Sequence, residues 1–150
     1  LELFAGRALG RQGTPEALAA LEAGLKAGGR GAVACAAGLG ASGQDAALPV
    51  LLAALETEKS QEVRWSVIDA LGELSRPDAV PVLLAQLESL RATPAHRSKQ
   101  KTIDALGRIG DERALVPLKA ALAGGDFGPQ AAALKRAVGA IEARQSLSTP

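Results

Sequence analysis

The chain has 150 residues, 47% of them hydrophobic but only 2% aromatic, and a formal net charge of +1. Its surplus is Ala and Leu, which suits close-packed helices and argues against a sheet built on Val, Ile, Thr and aromatics. The single cysteine, Cys35, excludes an internal disulfide.

Charge is unevenly spread. Residues 1–90 carry a balance of −4, and residues 91–136 a balance of +5. No apolar run approaches transmembrane length and no signal peptide is visible, so a cytoplasmic protein with no membrane partner is expected. The chain opens at Leu1 without a methionine, which suggests a piece of a longer protein.

In chain order, the first segment, near 1–11, is helix-like and apolar through Leu1, Leu3, Phe4, Ala5, Ala8 and Leu9. Gly13-Thr14-Pro15-Glu16 supplies turn and N-cap chemistry, and a second helix follows near 15–27 with Leu18, Leu21 and Leu25 in one stripe. Gly28-Gly29 breaks the chain before an Ala/Gly-rich helix near 30–40. Gly43-Gln44-Asp45 opens the next, near 45–57, whose core stripe is Ala47, Leu48, Leu51, Leu52 and Leu55. A helix near 60–74 buries Val63, Val67, Ala70, Leu71 and Leu74. Arg76-Pro77-Asp78 starts one near 78–91, and Ala92-Thr93-Pro94 ends it. Helices near 97–109, 112–123 and 129–143 complete the series, and residues 145–150 read as a disordered tail.

Five of these segments close alike, on glycines 10, 40, 72, 107 and 139, at spacings of 30, 32, 35 and 32 residues. A fixed period of this size marks a stacked repeat. One repeat domain over 1–144 follows, with units near 1–28, 29–58, 59–92 and 96–125 and a closing helix. Glycine costs a helix interior about 1 kcal/mol relative to Ala. Its recurrence implies a steric reason, and the reading here is that the second helix of each unit crosses the first at that point. Gly13, Gly43 and Gly110 are the better C-cap candidates.

The stretch Val63-Arg64 to Leu74, continued by Pro77-Asp78-Ala79-Val80-Pro81-Val82-Leu83, resembles a HEAT-like repeat of the phycobilisome-lyase type. Ile103-Asp104-Ala105-Leu106-Gly107 through Leu115-Val116-Pro117-Leu118 resembles another, and the likeness covers nearly the whole chain. The Val-Arg pair occurs only at Val63-Arg64. The resemblance implies an all-α, right-handed solenoid of about nine helices arranged in pairs. Family members are mostly protein-binding solenoids, and the family's name does not imply lyase activity.

Catalytic and metal chemistry find little support. The one histidine, His96, lies in the Pro94–Lys101 connector beside Ala95 and Arg97, unlike the repeated His-Glu pairs of di-iron HEAT-like hydroxylases, and reads as a solvated loop residue. Cys35, in an Ala-rich run, reads as a small buried hydrophobe. No catalytic, cofactor-binding or metal residue is assigned.

Three surfaces are candidates for contact. A basic patch of Arg91, Arg97, Lys99 and Lys101, followed by Arg108 and Arg113, would face solvent, meet an acidic protein or neutralise phosphates. No aromatic lies inside it to stack a base, so nucleic acid is the weakest of the three. The second-helix rows Ala20/Ala23, Val50/Ala53, Val82/Ala85 and Pro117/Ala120 should line a concave apolar face. Trp65, with Leu3 and Val33 at matching positions, would form an apolar strip on the convex side.

The expected function is therefore a non-catalytic scaffold or adaptor that binds a protein partner and takes no cofactor. The alternatives are a bilin-lyase-like or DNA-glycosylase-like subunit, or a weak nucleic-acid binder through residues 91–113. The apolar first helix adds an expectation of self-association through an open N-terminal repeat.

Overall fold

The computed structural model describes residues 2–148, which hold nine α-helices and no strand. The chain divides into two compact units, Leu1–Arg76 and Pro77–Pro150.

The first unit contains α1 (Glu2–Gln12), α2 (Pro15–Ala27), α3 (Arg30–Ala41), α4 (Ala47–Thr57) and α5 (Gln61–Leu74). Local chemistry sets most of these ends. Thr14 Oγ1 accepts from Ala17 N at 3.2 Å with Pro15 at the first helical position, and Ser60 Oγ caps α5. Gly13 and Gly43 adopt φ of +63° and +65°, as the C-cap reading requires. Where the third repeat lacks that glycine, Ser75 takes the left-handed conformation itself, at φ 54°, and its Oγ donates to Gly72 O at 2.8 Å.

Helices α1, α3 and α5 form one layer with α3 in the middle, and α2 and α4 pack against it. Leu21, Leu39, Leu51, Ile68 and Leu71 fill the space between the layers. The landmark glycines work differently from the sequence expectation. A methyl on Gly10 would overlap the carbonyl oxygen of Gly38, and one on Gly40 would lie 2.6 Å from Ala70 Cα. The steric reason holds, but the partner is the first helix of the next repeat rather than the second helix of the same one. These glycines let neighbouring first helices approach backbone to backbone.

The second unit contains α6 (Val80–Leu90), α7 (His96–Ile109), α8 (Leu115–Gly124) and α9 (Ala131–Ser148). Short 3₁₀ turns, Pro77–Ala79, Glu112–Ala114 and Gly128–Gln130, lead into α6, α8 and α9. The α6 and α8 helices therefore start later than the sequence pattern expects, because a 3₁₀ turn takes up the opening residues; Pro81 and Pro117 fall in the first α turn, where a missing N–H breaks no helical bond. Helix α7 packs on α6 and α9, and α8 packs on α9. Ile103, Leu106, Leu118, Phe127, Leu134 and Ile141 form the core. Gly107 repeats the close approach, with Ala137 of α9 at 3.0 Å from an added methyl.

Two expectations are corrected here. Residues 145–148 are helical rather than a disordered tail. Ser146 and Ser148 donate back to Glu142 O and Arg144 O, and Gln145 Nε2 reaches Glu112 Oε2 at 3.2 Å, which ties the last turn down. The remaining tail residues, 149 and 150, lie outside the described residues, as does Leu1. His96 is the first residue of α7, not part of the connector, and Gln130 Nε2 donates to its Nδ1 at 3.3 Å.

Candidate functional site

The second-helix rows are accessible in both units. On α2 and α4, Ala20, Ala23 and Ala53 are exposed and Val50 is half-buried. On α6 and α8, Ala85, Pro117 and Ala120 are exposed and Val82 is half-buried. The reason is helical period: Leu21 and Leu25, Leu51 and Leu55, Leu83 and Leu87 turn inward, which leaves the small residues between them on the other side. In the first unit, Val50 and Ala53 open into a groove of about 590 Å³ together with Leu25, Ala46, Pro49, Ala54 and Thr57. Charged residues stand at its rim. Lys26 Nζ and Glu22 Oε1 pair across one helical turn at 2.6 Å, and Glu58 closes the far side.

The expected basic patch is not a patch. Lys99 is only 4% exposed, and its Nζ donates to the Arg91 carbonyl at 3.0 Å. Arg91 is neutralised by Glu88 and Asp126, at 2.7 and 2.6 Å. Both cations lie over the ring of Phe127, itself 1% exposed, with the Lys99 ammonium 5.0 Å and the Arg91 guanidinium 5.6 Å from its centre. Hydrogen bonds from Arg91 hold the Glu88 carboxyl below the usual range, and those to Glu88 and Asp126 push the Arg91 guanidinium further up. The group is a clamp that fastens the α6–α7 connector to the α8–α9 connector through cation–π and ionic contacts. Arg97 is exposed and Lys101 half-buried, and both engage other residues. Sequence neighbours looked like a surface because Phe127 and Asp126, thirty residues later, cannot be seen beside them.

The second apolar strip is partly assembled. Leu3 is 50% exposed, and it shares a groove of about 580 Å³ with Val33 and Val63, rimmed by Glu2, Glu58 and Glu62. Trp65 does not line that groove; it is half-buried and in contact with its surroundings.

Cys35 is half-buried rather than fully enclosed. Its Sγ fills the space a side chain at Gly24 would need, and burial raises its thiol pKa, so it packs α3 on α2 as a neutral group. Among the described residues no three His, Cys, Asp or Glu gather as a metal cluster, and no helix is long and apolar enough to cross a membrane.

Sequence reasoning missed one cluster. Arg108, Arg136 and Arg144 meet along α7 and α9 in a groove of about 470 Å³. The repeat spacing held the signal: 32 residues separate Gly107 from Gly139, and the same offset sets Asp104 beside Arg136 in register.

A comparison with curated proteins returns no match. Residues 3–27 match the PBS lyase HEAT-like repeat. Residues 29–94 and 49–138 match HEAT repeats, and since the longer of these alone covers more than half of the sequence, the chain belongs to the HEAT-repeat family.

Proposed function

We propose that this chain is a non-catalytic scaffold module whose exposed second-helix faces hold an elongated apolar segment of a protein partner. The observation that carries the reading is the groove of about 590 Å³ between α2 and α4, which is lined by exposed Ala53 and half-buried Val50. Exposed apolar surface of this kind marks contact sites. The same small residues recur in the second unit, at Val82/Ala85 and Pro117/Ala120. Membership of the HEAT family supports the reading, because such repeats commonly mediate protein–protein interaction.

The test is capture of partners from the source cell. Ala53→Glu with Ala85→Glu should abolish capture while far-ultraviolet circular dichroism stays that of the wild type, since Ala53 and Ala85 point away from the core. Trp65→Ala should leave capture intact. Partners held by the Ala53/Ala85 variant but lost on changing Trp65 would overturn the assignment.

A second reading, self-association, rests on α1. Phe4 is 76% and Leu3 50% exposed there, with Ala5 and Ala8 exposed beside them. An aromatic and a leucine open to water on one helix are a natural dimer contact.

A further inference from the structure

Arg108 of α7 and Arg136 and Arg144 of α9 face one groove whose only acid among the described residues is Asp104. The seat is made by the close approach of α7 and α9 at Gly107 and Ala137. Arg144 is fixed first. Its Nη1 donates to the Ile109 carbonyl at 2.7 Å, and its guanidinium overlies Gly110, where φ of +72° and the missing side chain leave the room. The carbonyl end of α7 favours that positive charge.

The other two arginines are uncompensated. Arg108 and Arg136 form no ion pair or hydrogen bond with another described residue, whereas Arg7, Arg76, Arg91 and Arg113 are each paired with a carboxylate. The nearby acids are committed elsewhere. Asp104 accepts from Gln100 Nε2 at 3.1 and 3.2 Å, and Glu142 pairs with Lys119 at 2.6 Å. Three guanidinium groups against one carboxylate repel each other when the groove is empty, and a bound anion relieves that repulsion.

We infer that this groove takes a short acidic segment of a protein partner, with side-chain carboxylates held by Arg108 and Arg136. The inference rests on the reading of the chain as a protein-binding module and adds a site separate from the apolar groove. A planar guanidinium presents paired N–H groups that match a carboxylate in bidentate geometry. Nucleic acid fits less well. Phe127, the aromatic residue of this unit, is buried and offers no platform for a base, and Asp104 opposes a continuous run of phosphates.

The probe is fluorescein-labelled octaglutamate, followed by anisotropy at low ionic strength and at roughly 0.15 M salt. The wild-type chain binds it, more weakly at the higher salt. Arg108→Gln with Arg136→Gln weakens binding about tenfold or more, with unchanged helix content because both side chains are exposed. Arg108→Lys with Arg136→Lys keeps the charge but not the fork, and recovers only part of the loss. Arg97→Gln with Lys135→Gln removes the same charge outside the groove and leaves affinity within about twofold. Equal losses in the two Gln pairs, tighter binding of labelled oligothymidylate than of octaglutamate, or no binding by the wild type would each overturn the inference. The Ala53/Ala85 variant binds octaglutamate normally, so failure of the acidic site and failure of the apolar groove are told apart.

Discussion

Gly40 of α3 and Ala70 of α5 sit so close that a methyl on the glycine would meet the Ala70 Cα at 2.6 Å and its Cβ at 2.8 Å. Gly107 and Ala137 repeat the arrangement between α7 and α9. A methyl on Gly139, at the same repeat position in α9, would meet nothing within 4 Å beyond its own helix. One position therefore predicts opposite signs. Gly40→Val and Gly107→Val should each destabilise by about 1–3 kcal/mol through overpacking. Gly139→Ala should stabilise by about 0.5–1 kcal/mol, because only the helix-propensity term remains. Urea denaturation of the three variants checks this, and a destabilised Gly139→Ala would contradict it.

The cap glycines answer to a different term. Gly43 also has open space around it, but its φ is +65°. Gly43→Ala should cost roughly 1–2 kcal/mol, from backbone strain alone. A change within error would mean that the turn relaxes to another conformation.

Leu71 and Leu106, both 0% exposed, hold the equivalent core position in the two units. Truncation to Ala should cost about 2–5 kcal/mol at each. A loss below about half a kilocalorie at both would break the register, since a site that cheap to empty is not a packed core.

The clamp around Phe127 turns an expected association effect into a stability effect. Lys99→Gln leaves the Arg91 carbonyl short of its donor and removes the cation from the ring, which should cost about 1–3 kcal/mol. Phe127→Ala should cost about 3–5 kcal/mol. Arg97→Gln, at an exposed position, should stay within about 0.5 kcal/mol. Thermal unfolding ranks the three, and a stable Lys99→Gln variant would show that the clamp contributes nothing.

Acid stability has a local reporter. Arg113 donates to both oxygens of Asp111 at 2.9 and 3.0 Å, and its backbone N–H adds a third bond at 2.9 Å. The Arg113 side chain is the main reason the Asp111 carboxyl titrates below the usual carboxylate range. A carboxyl lowered in the folded state contributes stability that is fully present above its unfolded pKa of about 3.9 and is lost as pH falls through the folded value. Stability of the wild type should therefore fall more steeply than that of Asp111→Asn as pH drops below about 4. Parallel curves would remove Asp111 from the account.

Self-association through α1 predicts that Phe4→Glu is more monomeric than the wild type in sedimentation equilibrium. Phe4 is 76% exposed, so its replacement should leave the fold intact. Identical mass distributions for the two would sink that reading.

The sequence by itself determined the helices, their pairing and most of the core. Periodic leucines such as Leu51 and Leu55, and cap residues such as Thr14, Ser60 and Gly110, act within a turn or two of themselves, so their consequences are readable locally. It also carried the steric demand at Gly10, Gly40 and Gly107, though not what they meet. Only the tertiary structure decided that the neighbour is the next first helix, that Lys99 and Arg91 both meet the Phe127 ring, and that Arg108, Arg136 and Arg144 converge. Each of these joins residues about one repeat apart. Side chains separated by some thirty residues interact through space, and whether a lysine meets water or a buried ring depends on which element packs over it.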